Sequence, residues 1–405
     1  MQDQFFASVE QLVRAQAPVA LGDRCDGVIR RIRDDSNIKL LAVVDAEGRP
    51  TGVLERQMVL SSVSDPLRYA VYQNRTVSVM MEEQFIAVEA SMQLSDLSRQ
   101  LVEMGVGLDQ GGVVVNRDGV YFGILHNSDI LDHMIKVDAA RSKELAIAHE
   151  VVVDSVNYAS RIQRGLLPSM ERMKSVMADV GVLWEPRDVV GGDIYWMSPI
   201  NDDGSFWVGL IDCTGHGVPG AMVSMLVAAS LERIYDLGTS TSPGQILAQL
   251  GDFVRIALNQ DSEDAESNDG FDAAICKFDP KADSLTFAGA RIGIFAVPKS
   301  GGDVIRINGF KGALGYKGSE PHTPLPEVDL KMSDLKLVTM ATDGIFDQPG
   351  GADRRAFGPT RWRDAIQSTC HMSPSEMVEP LRRRLDEWRG DGHRRDDLSA
   401  VLLGL

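Results

Sequence analysis

Short apolar runs set against tight polar turns organise the second half of this chain. Residues 206–211 (Phe-Trp-Val-Gly-Leu-Ile) lead into Asp212-Cys213-Thr214-Gly215-His216-Gly217-Val218-Pro219. Residues 336–341 lead into Thr342-Asp343-Gly344, and residues 398–403 follow Arg395-Asp396-Asp397. Val189-Val190-Gly191-Gly192-Asp193 opens a fourth run through Ile194-Tyr195-Trp196. Runs of this length between glycine and aspartate predict buried strands. Residues 222–231 predict a buried helix, with Pro219 suited to a first helical position. Residues 377–388 predict an amphipathic helix, Leu381, Leu385 and Trp388 inward and Arg382, Arg383 and Arg384 to water. Residues 261–269 are polar and acidic and predict a solvated loop, with a flap beside a site as the alternative.

The first half is patterned differently. Phe5, Phe6, Val9, Leu12 and Val13 have helical spacing and predict a helix near the start. Beyond it lies an internal repeat: Val43-Val44-Asp45-Ala46-Glu47-Gly48 with Gly52 parallels Val114-Val115-Asn116-Arg117-Asp118-Gly119 with Gly123. The offset is the same at both glycine pairs, 119 − 48 = 123 − 52 = 71. Each copy reads strand, turn, strand, short helix, and the turn glycines predict a hairpin. Between the halves, Leu145, Ala148, Val152, Ser155, Ala159, Ile162 and Leu166 fall on alternating steps of three and four. That stripe predicts a parallel two-stranded coiled coil; the alternative is a helix packed on its own C-terminal domain. Pro168 ends it.

A length of 405 residues predicts two or three domains. The net charge of −17 argues against nucleic acid and anionic membrane as partners. Cys25, Cys213, Cys276 and Cys370 show no CxxC pairing, so neither a zinc site nor a disulfide framework is indicated. No apolar run long enough to span a bilayer and no signal peptide stand out, and a cytoplasmic location is expected.

Asp212 taken alone reads as a turn cap. Four carboxylates at strand ends change that reading, because Asp193, Asp212, Asp343 and Asp396 can converge on one edge of a sheet pair. A carboxylate-only site suits hard divalent cations such as magnesium or manganese rather than zinc. Two such ions can activate a water against a phosphoryl group.

The ordered set Gly-Gly-Asp, Asp-x-x-Gly-His-Gly-Val-Pro, Thr-Asp-Gly and Asp-Asp-Leu-Ser resembles the SpoIIE-like branch of the PPM serine/threonine phosphatases. Ile162-Gln163-Arg164-Gly165-Leu166-Leu167-Pro168 resembles the lead-in of that branch, so the likeness covers about residues 162–405. It implies an α/β/β/α sandwich holding two Mn2+ or Mg2+ ions. The implied ligands are Asp193, Asp212, the backbone carbonyl of Cys213, Asp343 and Asp396, with Asp397 a supporting residue. Thr342 and Gly344 would shape the turn that presents Asp343. Asp193 and Asp212 would also carry the catalysis.

His216 reads either as proton donor to the leaving serine oxygen or as a loop histidine bonded to the turn. Two departures from the branch stand out. Ala288-Gly289-Ala290-Arg291 replaces an Asn-Ala-Gly-His segment, and Gly270-Phe271-Asp272 replaces Gly-Met-Phe. Arg291 is a phosphate ligand or a surface ion pair. Asp272 is an added site carboxylate or a turn acid.

The repeat resembles a tandem pair of CBS domains. That likeness implies a nucleotide-binding Asp129 with Ser128 beside it, matched by Met58 in the first copy, so at most one adenine-nucleotide site; a structural or dimerising pair is the competitor. The whole reads as an α+β protein: a CBS pair over residues 1–136, a helical coiled-coil linker over 137–168, and a phosphatase domain over 169–405. The implied protein is a homodimeric phosphatase acting on a phosphorylated STAS-domain protein under sensor control. The alternative is a catalytically silent, ligand-sensing scaffold that works by binding a partner.

Overall fold

The computed structural model describes the chain apart from residues 1–7, 65, 105–110, 239–240, 263–264, 266 and 320–322. Phe5 and Phe6 therefore lie outside the described residues. In place of the expected first helix, Val9–Gln11 forms one 3-10 turn, with Val9 buried and Leu12 and Val13 packed behind it. Two compact units follow, Met1–Glu150 and Val151–Leu405.

The first unit contains the same small sheet twice. β1 (Val19–Ala20), α1 (Cys25–Asp34), β2 (Leu40–Val44), β3 (Pro50–Glu55), α2 (Arg56–Ser62) and α3 (Pro66–Tyr72) make the first copy and its exit. β4 (Ala87–Glu89), α4 (Leu94–Glu103), β5 (Val113–Arg117) and β6 (Val120–Leu125) make the second. In each, a short strand runs parallel to the second, which pairs antiparallel with the third. The predicted hairpins turn on Gly48 and Gly119, at φ 78° and 79°, a left-handed conformation that glycine adopts without a Cβ clash. Asp45 Oδ1 secures the first turn by accepting from the N–H groups of Glu47 (3.0 Å) and Arg49 (2.7 Å). Leu40, Ala42 and Val53 of one copy share a core with Val114 and Ile124 of the other.

α5 (Asn127–Leu166) is one helix of 40 residues. It begins well before the expected linker and ends just short of Pro168. Leu145, Val152, Ile162 and Leu166 are exposed along it, whereas Ser160 and Gln163 are buried.

The second unit is a four-layer sandwich after the short α6 (Met170–Lys174). β7 (Val180–Glu185) belongs to one sheet, while β8 (Asp193–Met197) and β9 (Phe206–Cys213) belong to the other. Helices α7 (Gly217–Asp236) and α8 (Pro243–Ala257) precede β10 (Phe271–Asp279), β11 (Ser284–Ala290), β12 (Ile294–Pro298), β13 (Ile305–Ile307), β14 (Glu327–Lys331) and β15 (Leu335–Ala341). The one-turn α9 (Asp343–Phe346), a small β16 (Pro349–Gly350) and β17 (Arg355–Ala356) ladder, α10 (Gly358–Thr369), α11 (Pro374–Arg389) and β18 (Leu398–Gly404) complete it. The strand orders are β14-β11-β10-β9-β8 and β13-β12-β15-β18-β7.

Period-two alternation assigns the layers. Val208, Leu210, Ala274 and Cys276 face Val338, Met340, Val401 and Leu403 between the sheets. Their neighbours Ile211, Cys213, Ala273 and Ile275 face outward onto Val227 and Leu231 of α7 and Leu247 and Leu250 of α8. On the far side Leu337, Ala400 and Leu402 pack on Trp362 and Ile366 of α10 and Leu381 and Leu385 of α11. The expected α/β/β/α order is present. Two details differ from the sequence reading. α7 starts at Gly217 rather than 222, with Pro219 as its third residue. By length and apolarity α7 is also the one membrane-span candidate among the described residues, contrary to the expectation of none, although Val227, Leu231 and Ile234 are built into the core.

Candidate metal and active site

The alternation that builds the inter-sheet core also builds the site. On β9, residues 208 and 210 face the opposite sheet, so Asp212 falls on the same face where the apolar run ends. Asp212 lies directly opposite Asp193 of β8 on one side and Asp272 of β10 on the other. Directly opposite side chains share a face about 5 Å apart, so three carboxylates stand in a row across three strands. From the second sheet come Asp343, just past β15, and Asp396, just before β18.

The electrostatics follow from the convergence. Burial drives the Asp212 carboxyl well above the usual carboxylate range, and Asp193, Asp343, Asp396 and Asp272 push it further, in that order. Asp193, only 2% exposed, is raised by burial and then by Asp397, against hydrogen bonds from Ser399, Thr342 and Asp212. Asp343 is raised by desolvation and by Asp396. Burial takes Asp272 to about 6, with Arg291 pulling the other way.

The backbone around this cluster is unusually close-packed. A Cβ on Gly191 would sit 2.4 Å from Asp397 Oδ2, and one on Gly192 would sit 2.6 Å from the carbonyl oxygens of Cys213 and Gly215. A Cβ on Gly344 would meet the Asp397 carbonyl at 1.9 Å. These approaches explain the Gly-Gly-Asp and Asp-Gly pairs: only glycine lets these strand-end loops close on one another, and through Gly191 on the Asp397 loop of the other sheet. Asp397 completes the closure. Its carboxylate accepts from the N–H groups of Arg187 (2.6 Å), Gly192 (2.6 Å) and Asp193 (3.4 Å). Thr342 Oγ1 donates to Asp193 Oδ2 at 2.9 Å and so ties one sheet to the other.

Gln163 of α5 reaches the same loop. Its Nε2 donates to the Gly191 carbonyl (2.6 Å) and to Ser224 Oγ of α7 (2.9 Å), while its Oε1 accepts from Gly191 N–H at 3.3 Å. Sequence reasoning gave Gln163 no role and Asp397 a vague one. The signal available for Gln163 was a polar residue inside a helix end that then proves 1% exposed.

Other predicted residues stand apart from the cluster. Cys213 turns its thiol into the α7–β9 core and offers only its backbone. His216 precedes α7, and its Nδ1 pairs with Asp188 Oδ2 at 3.0 Å, so its partner is a side chain rather than the turn. Asp129, in the first unit, is held bidentately by Arg14 at 2.7 and 2.6 Å, with Ser128 beside it in the first turn of α5. Of the acidic loop over 261–269, Asp261 pairs with Arg255, and residues 263, 264 and 266 lie outside the described set.

The donor chemistry fits a hard divalent cation. The charges that act on Asp212 are all carboxylates, and burial raises Asp193, Asp212, Asp272 and Asp343 above the usual carboxylate range, so cations between them would relieve both desolvation and repulsion. Among the described residues, no three His, Cys, Asp or Glu side chains already stand as a closed ligand set.

Residues 202–405, just over half of the chain, match the family of Stage II sporulation protein E (SpoIIE). The chain belongs to the SpoIIE family. It is accordingly a PPM-type protein serine/threonine phosphatase, of a class that is metal-dependent. Residues 77–136 match the CBS domain, which covers the second copy of the repeat. Among solved structures, this SpoIIE-family chain is similar to the SiaA-PP2C domain of Pseudomonas aeruginosa: 30% identity, TM-score 0.56, 65% of this chain and 99% of that one. It also matches the PP2C phosphatase domain with a regulatory fragment of SpoIIE from Bacillus subtilis, at 16% identity and TM-score 0.43, covering 56% of this chain and 62% of that one. No curated protein matches it.

Proposed function

We propose that the carboxylate cluster is the metal centre of this phosphatase, with Asp193, Asp212, the Cys213 carbonyl, Asp343 and Asp396 as ligands for two Mn2+ or Mg2+ ions. The observation that carries this is Asp212, which stands opposite Asp193 in register and within electrostatic reach of Asp343 and Asp396 from the other sheet. The ions would supply Lewis-acid polarisation of the phosphoryl group and a nucleophilic water at neutral pH. The protein's own part is geometric. Asp397 and Gln163 fix the Gly191–Gly192 backbone, Thr342 orients Asp193, and Asp212 bridges the strands. His216, 44% exposed and paired with Asp188, would serve as the proton donor to the departing serine oxygen.

The substrate is a phosphoserine or phosphothreonine protein of the STAS class. Residues 1–136 act as a regulatory CBS pair, 137–168 as a linker and 169–405 as the phosphatase domain, in a cytoplasmic homodimer joined through the exposed stripe of α5. Sensor control would run along α5, because Gln163 near its C-terminal end holds the Gly191 loop. Nucleotide binding at Asp129 requires its carboxylate to leave Arg14. The experiment is phosphate release from a phosphorylated STAS protein beside an unrelated phosphoprotein. Faster release from the STAS protein supports the assignment; equal rates on both remove it.

A further inference from the structure

We infer that Arg291 binds the phosphoryl oxygens of the substrate, and that Asp272 holds it at the rim of the carboxylate cluster for that purpose. This rests on the cluster being the phosphatase site. Arg291 follows β11 directly and has φ 58°, a left-handed conformation that a long side chain rarely takes. The surrounding backbone enforces it. Arg291 N–H donates to the Phe310 carbonyl at 2.7 Å, and Phe310 N–H donates to the Gly289 carbonyl at 2.7 Å, so the turn is clamped on both sides. Residues kept in such conformations gather at binding sites, where the surrounding structure fixes where the side chain starts.

The side chain starts beside Asp272. Arg291 Nη1 stands 3.8 Å from Asp272 Oδ1, too far for a hydrogen bond but close enough for attraction, and among the described residues the buried Oδ1 has no hydrogen-bond partner. The Arg291 side chain is 54% exposed, and among the described residues the one hydrogen bond of its guanidinium is a long one from Nε to the Lys311 carbonyl at 3.5 Å. Its terminal nitrogens are therefore free to bond a ligand. Asp272 is the cross-strand neighbour of Asp212, which places this free fork at the edge of the cluster. A phosphomonoester dianion approaching so many carboxylates needs a cation, and a guanidinium can bond two phosphate oxygens at once. Arg395 lies near Asp343 on the other flank, but no hydrogen bond or ion pair orients its side chain among the described residues.

The test is steady-state turnover of p-nitrophenyl phosphate with Mn2+ by the full chain, together with competitive inhibition by inorganic phosphate. Arg291→Gln is expected to raise both KM and the phosphate Ki by about tenfold or more, with the Mn2+ activation midpoint unchanged and Arg291→Lys intermediate. Arg291→Gly relaxes the left-handed backbone and gives the same result if Gln misfolds. Values within about twofold of wild type in both variants would overturn the inference, as would a rise in Ki on Arg395→Gln but not on Arg291→Gln. Absence of Mn2+-dependent turnover in the wild type would instead sink the cluster reading beneath it.

Discussion

Replacing Asp397 by alanine removes the acceptor on which the site loop closes. Two of its hydrogen bonds are short, from Arg187 and Gly192 at 2.6 Å each, and the third, from Asp193, is long at 3.4 Å. A hydrogen bond to a charged group contributes about 1.5–3 kcal/mol, so the two short ones lose roughly 3–6 kcal/mol together. Removing Asp397 also relieves its repulsion of Asp193, which returns part of that loss. A net cost of about 3 kcal/mol follows, and for a unit of this size that lowers Tm by on the order of 10 °C. Asp397→Asn keeps the shape and one acceptor, and about half the cost is expected. Urea unfolding followed by circular dichroism measures the stability, and titration with Mn2+ measures the site. Both variants should weaken Mn2+ binding, alanine more, because the freed Gly192–Asp193 backbone no longer fixes Asp193. A cost under about 1 kcal/mol in alanine with unchanged Mn2+ affinity would refute the clamp.

Two further outcomes follow from the same geometry. The Asp193 and Asp212 carboxyls are raised in the folded, metal-free protein, so folding favours their protonated forms. Their contribution to stability is greatest at acid pH and is lost as pH rises from the unfolded value near about 4 through the raised folded values. Asp272 behaves alike, its share gone above about 6. Thermal melts in chelator should therefore fall between about pH 5 and 7.5, and Mn2+ at about 100 times its Kd should restore roughly 2.7 kcal/mol at the upper end. A larger Mn2+ effect at pH 5 than at 7.5 would contradict this sign. Gln163→Ala should cost about 2–3 kcal/mol, since it strips partners from the buried Gly191 backbone and leaves a hole, and it should lower kcat. Wild-type turnover in that variant would mean that α5 does not hold the site loop.

Much of the site was legible because strand alternation is a local rule. Once residues 206–211 read as a buried strand, the inward parity of 208 and 210 puts Asp212 at the inter-sheet edge, and the same rule serves Asp193 and Thr342. The Gly-Gly-Asp and Asp-Gly pairs were visible, but their cause was not. The approach of Gly191 to Asp397 joins loops about 200 residues apart, those of Gly192 to the Cys213 carbonyl and Gly344 to Asp397 join neighbouring strand ends, and no periodicity records any of them. Gln163 was hidden for the same reason: its partners, Gly191 and Ser224, sit on other elements. Within the described part of the expected first helix, Val9–Gln11 is a 3-10 turn packed into the core rather than a helical run. The start of α7 moved because Gly215 and Gly217, at φ 86° and 63°, set up the helix before Pro219.

The most direct measurement is phosphate release by the full chain in Mn2+, with Asp212→Ala and Asp343→Ala beside the wild type. The account predicts activity in the wild type that chelator abolishes and Mn2+ restores, and a loss of about a hundredfold or more in each variant. Turnover that survives chelator, or that either variant retains at wild-type level, would contradict it.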